Sequence, residues 1–512
     1  MSHHLERRRL LAGTALAGGA AALGVVAQAG SASAVVSAAD RSFSDLAEMK
    51  TRAGAGDGEI GYLLGVKAGH PGKGGGPFRW SAASTATAND ATVVAVAGTA
   101  TGRWLRIYDA LDVQMFGAVG DGVADDTAAL QAARDHLNAL TGPLPALDFP
   151  AGDYKLTTSP NWAVQGIVVR FLGQVFLTNV GTGACVVMDG GASSGKVSNV
   201  TWGQVGQCIV RGGSSTGGGF FVRAVLRSKI KGRVYGCGTA AAALRVEFGI
   251  LNEFDINVTP DETGSWYLGG KPVSGYTLTQ RGAGEQTSYC TFVTPSVQAT
   301  HYGLYADHTL GNVFLGGDFE YCTANGAVFT PNAFGNKFFG TDFEVNTVSD
   351  IDCAGRYNEF HGCDSNTIIN ITGGDSNQLV GGNVQSLNIT SGTRDTLVSS
   401  VKYRRGLSGG ALTDNGVRTR LRDNLDLVTQ RYANAALTAV AATVTASPFT
   451  VTNATANEQT VAVSGGTVSQ IQRQRGGSTY PTGATSGEFL LSPDDALVIT
   501  YSAAPTVRRY AR

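Results

Sequence analysis

Charge is scarce in this chain. Asp, Glu, Lys and Arg together make up 15% of 512 residues, and 39 basic residues against 40 acidic ones leave a net charge of −1. Without a basic excess there is no electrostatic case for nucleic acid or an anionic membrane surface as partner. Cysteine is limited to seven residues, at 185, 208, 237, 290, 322, 353 and 363. An odd number, scattered singly and without a Cys-x-x-Cys pair, is neither a disulfide framework nor a zinc site, so buried thiols are expected. Proline is sparse, at 14 residues. Beyond residue 34 no apolar run approaches the ~20 residues a bilayer-spanning helix needs, which excludes a membrane partner for the mature chain.

Glycine is abundant instead, with 70 residues, about twice its ordinary ~7% share. Aromatic and β-branched residues are also plentiful, and the combination fits an all-β protein with many turns. The first 34 residues read as a targeting segment. Arg7, Arg8 and Arg9 precede a mildly apolar Ala/Gly/Leu/Val run that ends in Ala32-Ser33-Ala34. Paired arginines and weak hydrophobicity resemble a twin-arginine signal, which implies export to the periplasm or medium, with cleavage after Ala34.

A repeated phrase organises the rest. GNVFLGGDFE at 311–320 returns as GNKFFGTDFE at 335–344, with looser copies at 289–298, 357–366 and 376–385. A period of 19 to 24 residues without helical patterning is the signature of stacked β coils. Alternation along a strand then sorts the residues. Phe292, Phe314, Phe338, Phe360 and Leu379 point inward in a first strand. Their flanks form the outward columns Thr291/Val313/Lys337/Glu359/Gln378 and Val293/Leu315/Phe339/His361/Val380. Past a glycine turn, Phe319, Phe343 and Val384 point inward in a second strand. Their outward flanks are Asp318 and Glu320, Asp342 and Glu344, Asp364 and Asn366, and Asn383 and Gln385.

Before the coils, VQMFGAVGDGVADDTAALQAARDHLNA at 113–139 combines a glycine turn, an Asp125-Asp126-Thr127 N-cap and apolar residues at helical spacing from 128 to 137. LDFPAGDYKL at 147–156 follows as a strand. This pairing resembles the opening of the pectate-lyase/rhamnogalacturonase-like superfamily, where a capping helix closes a right-handed parallel β-helix. In that setting Asp121, Asp125 and Asp126 serve the cap rather than a metal. The phrases GGGPFRW and GRWLRIYD resemble modules that precede the β-helix in tailspike-like proteins. His70 and its neighbouring lysines are read as solvated loop residues. The expected organisation is therefore a signal at 1–34, a small N-terminal β module at 43–110, a β-helix at 111–405, a connector at 406–435 and a C-terminal β-sandwich at 436–512. The resemblance also makes a homotrimer one assembly to consider.

The outward acids are the candidate chemistry. Neighbouring coils lie ~4.8 Å apart and alternate residues ~6.7 Å apart. Glu320 with Glu344 thus suits a retaining glycosidase pair, and Asp342 with Glu344, or a diagonal pair, suits inversion. Crowded carboxylates should raise at least one pKa, as a general acid requires. Asp318 completes the candidate set. In a lyase, His361 is a candidate base, with Lys337 or Arg356 as alternatives and substrate contacts. No cofactor is required by these schemes, although Asp318, Asp342 and Asp364 also offer oxygens suited to Ca²⁺. A bland alternative stands beside this: Asp and Asn ladders near turns bond backbone groups. It accounts less well for Glu320 and Glu344, which are the sharper expectation.

Residues 259–288 form a long connection whose Trp266, Tyr267 and Tyr276 offer stacking surfaces, with Lys271 and Arg281 as charge partners, or else pack over the coils. The polygalacturonase set is absent, since there is no Asn-Thr-Asp, Gly-His-Gly or Arg-Ile-Lys, and FHGCD at 360–364 is a distant echo. The expectation is an exported lyase or glycoside hydrolase acting on an acidic polysaccharide. A non-catalytic tailspike-like carbohydrate-binding protein is the alternative, and a sugar epimerase or transferase the third.

Overall fold

The structure, a computed structural model, describes residues 41–511 apart from 213–216, 262, 406–409, 433–438 and 456–457. The expected signal at 1–34 lies outside the described residues. The expected all-β class holds: a parallel β-helix is flanked by a small N-terminal sheet and a C-terminal sandwich.

The N-terminal module is a five-stranded sheet. Phe43, Met49, Leu63, Phe78, Trp80, Val94 and Trp104 fill one side of it, giving the module its own core. The capping helix then runs over Thr127–Ala139, with Ala129, Leu130, Ala133 and Leu137 buried against the first coil. The N-cap differs in detail from expectation. Asp126 occupies the cap position but sends its carboxylate back to accept from Val119 N at 2.7 Å and Gly120 N at 3.1 Å, while Asp125 accepts from Thr127 N at 3.0 Å. Asp126 thereby ties the glycine turn to the helix, and Asp121 accepts from Val123 N and Ala124 N within that turn.

Three parallel faces build the β-helix. The first includes Val313–Leu315, Lys337–Phe339 and Glu359–His361. The second includes Asp318–Glu320 and Asp342–Glu344, and the third Asn325–Phe329 and Ser349–Cys353. Register follows the repeat: Phe314 pairs with Phe338 and Phe338 with Phe360 on the first face, and Phe319 with Phe343 on the second. These inward rings stack, with centroids 4.5 Å apart for Phe292–Phe314 and 4.2 Å for Phe314–Phe338. Each ring is fully buried. The turn between the two faces needs a left-handed residue, supplied by Gly316 (φ 63°) and Gly317 (φ 79°); a Cβ on Gly317 would overlap the Pro295 carbonyl.

A buried asparagine ladder locks the corner that leads into the first face. Asn312 donates to Asn336 at 3.0 Å, Asn336 donates to Asn358 at 2.9 Å, and Asn358 N donates to Asn377 at 3.0 Å. All four side chains are fully buried, so each bond replaces one to water that the interior denies. All seven cysteines are buried free thiols, and burial pushes their pKa values up.

Two boundaries move. Strands Leu412–Asp414, Arg420–Arg422 and Leu425–Asp426 pair with Leu387–Ile389, Leu397–Ser399 and Lys402–Tyr403, so the coils run past the expected end at 405 and consume most of the expected connector. Polar composition concealed this coil, because few of its positions face the core. The long connection also contains a coil strand, Ser274–Thr279, which pairs with the third face on both sides. Beyond 438, two four-stranded antiparallel sheets enclose Val451, Val461, Ile471, Leu497 and Ile499, as a sandwich requires. Among the described residues no helix is long and apolar enough to cross a membrane.

Candidate functional site

The expected acid columns form on the second face. Asp318 is in register with Asp342 and Glu320 with Glu344, and Asp342 continues to Asp364 and then to Asn383. Inward Phe319 and Phe343 fix this arrangement, because alternation turns both flanks of each ring outward. The glutamate column changes after Glu344. Register shifts beyond Ser365, whose buried hydroxyl donates to Asp350 at 2.7 Å, and Asn366 accepts from Val345 N at 2.8 Å. Asp350 is itself buried and accepts from Asn346 and from the Asn366 and Thr367 amides, which makes it a structural carboxylate.

The column members differ in their surroundings. Asp318 accepts from Ser296 Oγ at 3.0 Å and Gln298 Nε2 at 3.3 Å, and Gln298 also donates to Glu320. Asp364 accepts from Asn383 Nδ2 at 2.8 Å and pairs with Arg404 at 3.2 Å. Asp342, between them, has a buried Oδ1 without a hydrogen-bond partner among the described residues. Its pKa is pushed up to about 7, first by burial and then by the Glu344 and Asp364 charges and a hydrogen bond with Glu344, against which Arg404 acts weakly. Asp342 is therefore part-protonated near neutrality, with Glu344 two residues on along the same strand and facing the same side. A carboxyl that burial and like-charged neighbours keep protonated toward neutral pH is suited to general acid catalysis.

The remaining candidates lie elsewhere. Lys337 and His361 point outward on the first face, where Glu359 accepts from both at 2.9 Å and His361 stacks on Phe339 at 5.0 Å. Burial works against Glu359's ionisation, but His361 and Lys337 outweigh it and hold its carboxyl below the usual range. The two-residue turn at Gly362-Cys363 separates His361 from the strand of Asp364, so it does not join the acids as a base. Arg356 sits exposed on the corner ladder between the third and first faces, bridged to Phe334, and is not brought to the acids. Asp318, Asp342 and Asp364 stand one above another rather than around a point. Among the described residues no group of three or more His, Cys, Asp or Glu could hold a metal ion.

The long connection is also redistributed. Tyr276 is buried in the core with its hydroxyl donating to the Ile256 carbonyl, so it offers no stacking surface. Arg281 is consumed by Glu285 and by the carbonyls of Gly191 and Gly195, with its side chain 1% exposed. Trp266 is half-buried against the coil core, and Tyr267 lies with its ring centroid 5.1 Å from the Arg211 guanidinium. A depression of about 290 Å³ lined by Lys229, Leu251, Glu253 and Tyr289 opens on the first-face corner, away from the acids. Sequence reasoning overlooked Gln298, Arg404 and Asp350. Gln298 was accessible, since it occupies the Glu320 position in the copy at 289–298.

The architecture places the chain among parallel β-helix proteins with an N-terminal sheet module. Residues 42–109 match the family described as phage tail protein small four-stranded beta-sheet domain. Among solved structures, the tailspike protein of Acinetobacter phage vB_ApiP_P1 aligns with a TM-score of 0.50 at 13% identity, covering 92% of this chain and 97% of that one. The enzymatically active domain of tailspike protein 2 of bacteriophage CBA120 aligns at 0.47 and 13% identity, covering 91% and 79%. The tailspike of Acinetobacter baumannii phage Fri1, described as a capsular polysaccharide depolymerase, aligns at 0.42 and 13% identity, covering 92% and 97%. No curated protein sequence matches the chain. At these identities the likeness is one of fold.

Proposed function

We propose that the second face is the active surface of a polysaccharide-cleaving enzyme, with Asp342 as general acid and Glu344 or Glu320 as its carboxylate partner. The observation that carries this reading is the placement of Asp342 on an outward column next to Asp364 and two residues from Glu344, with its buried Oδ1 lacking a donor and its pKa pushed up to about 7. A buried structural carboxylate such as Asp350 collects donors, whereas Asp342 lacks them on Oδ1. Hydrolysis is favoured over elimination, because the groups that raise Asp342 are carboxyls and the nearby cation Arg404 is already paired with Asp364. The tailspike-like fold supports the reading by analogy. The proposal includes export through the arginine-led segment at 1–34.

Incubation of the mature chain with a panel of neutral and acidic exopolysaccharides tests it. New reducing ends without unsaturated product, reduced about 10²-fold or more in Asp342→Asn, are expected. Unsaturated product would assign a lyase instead, and full activity in Asp342→Asn would reject the site. The family match at 42–109 favours one second reading, a surface-attached spike that binds glycans without cutting them and gains strength as a trimer. Glycan retention with no cleavage across the panel would select it.

A further inference from the structure

The second face changes character toward the N-terminal end. Moving back from Asp318, the same outward column reads Ser296, Asn257, Arg233, Ile209 and Phe176. Two guanidinium groups lie there on aromatic rings. Arg211 sits 3.7 Å from the Phe176 centroid and 5.1 Å from that of Tyr267, and Arg233 lies 4.9 Å from that of Tyr235. Arg211 spends one nitrogen on Asp153 at 2.7 Å, while its Nε is buried without a partner. Arg233 has only the neutral Thr259 hydroxyl, at 3.3 Å from Nε and 3.2 Å from a terminal nitrogen, and no ion pair among the described residues. Arg233 is half-buried, so its charge is confined to the face without being neutralised on it.

We infer that this patch is a subsite for a carboxylate-bearing sugar, a uronate, in the glycan whose cleavage is proposed above; the inference rests on the second face being the glycan-binding surface. A guanidinium held flat on a ring presents a planar fork that fits a carboxylate with two parallel hydrogen bonds. The half-buried Tyr235 and Tyr267 supply apolar surface for the sugar ring beside that fork. The patch and the acids differ in what they favour: a uronate is attracted at Arg233 and disfavoured among the crowded carboxyls around Asp342, which already oppose a further negative charge. Four coil steps separate the two positions, about 19 Å at ~4.8 Å each. The bound chain therefore carries its acid on a sugar several units from the bond to be cut, and a less acidic sugar at that bond.

Binding is measured on the full Asp342→Asn chain by titration calorimetry, which separates affinity from turnover. The probes are hyaluronan tetrasaccharide, which alternates a uronate with a neutral sugar, and the neutral chitin tetrasaccharide. The hyaluronan probe should bind at least tenfold more tightly at low salt, with affinity falling as salt rises. Adding Arg233→Gln should remove about tenfold of that affinity, and Arg233→Lys should retain part of it, as charge persists without the fork. Near-ultraviolet circular dichroism checks that each variant is folded. Equal binding of both probes, no binding of the uronate probe, or unchanged affinity in Arg233→Gln overturns the subsite. The cleavage assay fails or succeeds independently, because Arg233 is four coils from Asp342.

Discussion

The first and second faces are built from the same repeated phrase and differ in what they leave unpaired. On the first face of the repeated coils, opposite charges meet: Lys337 and His361 converge on Glu359. On the second face Asp342 meets Glu344 and Asp364, like charges that its burial accentuates. A scaffold needs only the first arrangement. The second opposes ionisation, and such opposition on an outward-facing, half-buried strand is what catalytic carboxyls require.

Several measurements would break or sharpen this comparison. The largest expected effect is on cleavage: Asp342→Asn or Glu344→Gln should cost about 10²- to 10⁴-fold in reducing-end release, while His361→Ala on the first face should change it less than about twofold. Next comes the core shared by both faces. Phe338→Ala should destabilise by about 3–5 kcal/mol in denaturant unfolding, whereas its outward neighbour Phe339, 41% exposed, should cost under about 1 kcal/mol on the same change. Asn336→Ala breaks the buried ladder and should cost about 1–3 kcal/mol, since it strands the amides of its neighbours. Lys337→Ala removes a half-exposed ion pair and should cost less than about 1 kcal/mol.

The pH dependence of stability separates the faces again. Asp342 ionises near 7 in the folded chain against an ordinary 3.8, so folding favours its protonated form. Its contribution is present in full below the ordinary value and is lost as pH rises through about 7. Asp342→Asn, which stays neutral, should match the parent Tm at pH 4 and exceed it by about 1 °C at pH 8, with the gain small because the side chain is half-exposed. A variant at Glu359, whose carboxyl is held low, should lose its disadvantage on acidification instead.

Much of this was readable in the repeat. Once Phe314 and Phe338 are set inward, the first-face columns and the aspartate column follow, and the pairings of Asp318 with Asp342 and Glu320 with Glu344 agree residue for residue, while the glutamate column breaks past Glu344. The glutamates nevertheless looked the sharper choice, whereas Asp342 is the residue the surroundings perturb. That difference depends on burial and on where Arg404, Gln298 and Asn383 place their donors, which spacing does not encode. The asparagine ladder was visible in the recurring Gly-Asn and Tyr-Asn pairs, but the same residue type at Asn383 suggested a turn role on the other face. His361 stands in its expected outward column beside Phe339, but sequence proximity to an acid says little across a turn that changes faces. The strand at 274–279 was hidden within an unusually long interval, although its alternating Tyr276 and Leu278 carried the signal.

The central claim is that Asp342 keeps its proton up to about pH 7 on a half-buried, outward-facing strand, and infrared titration reads this directly without a substrate. The difference spectrum between the parent chain and Asp342→Asn should contain a protonated-carboxyl band at pH 6 that titrates away near pH 7. Subtraction removes Asp112, whose carboxyl burial raises to about 6. A difference spectrum in which that band has already vanished at pH 5 would contradict the account.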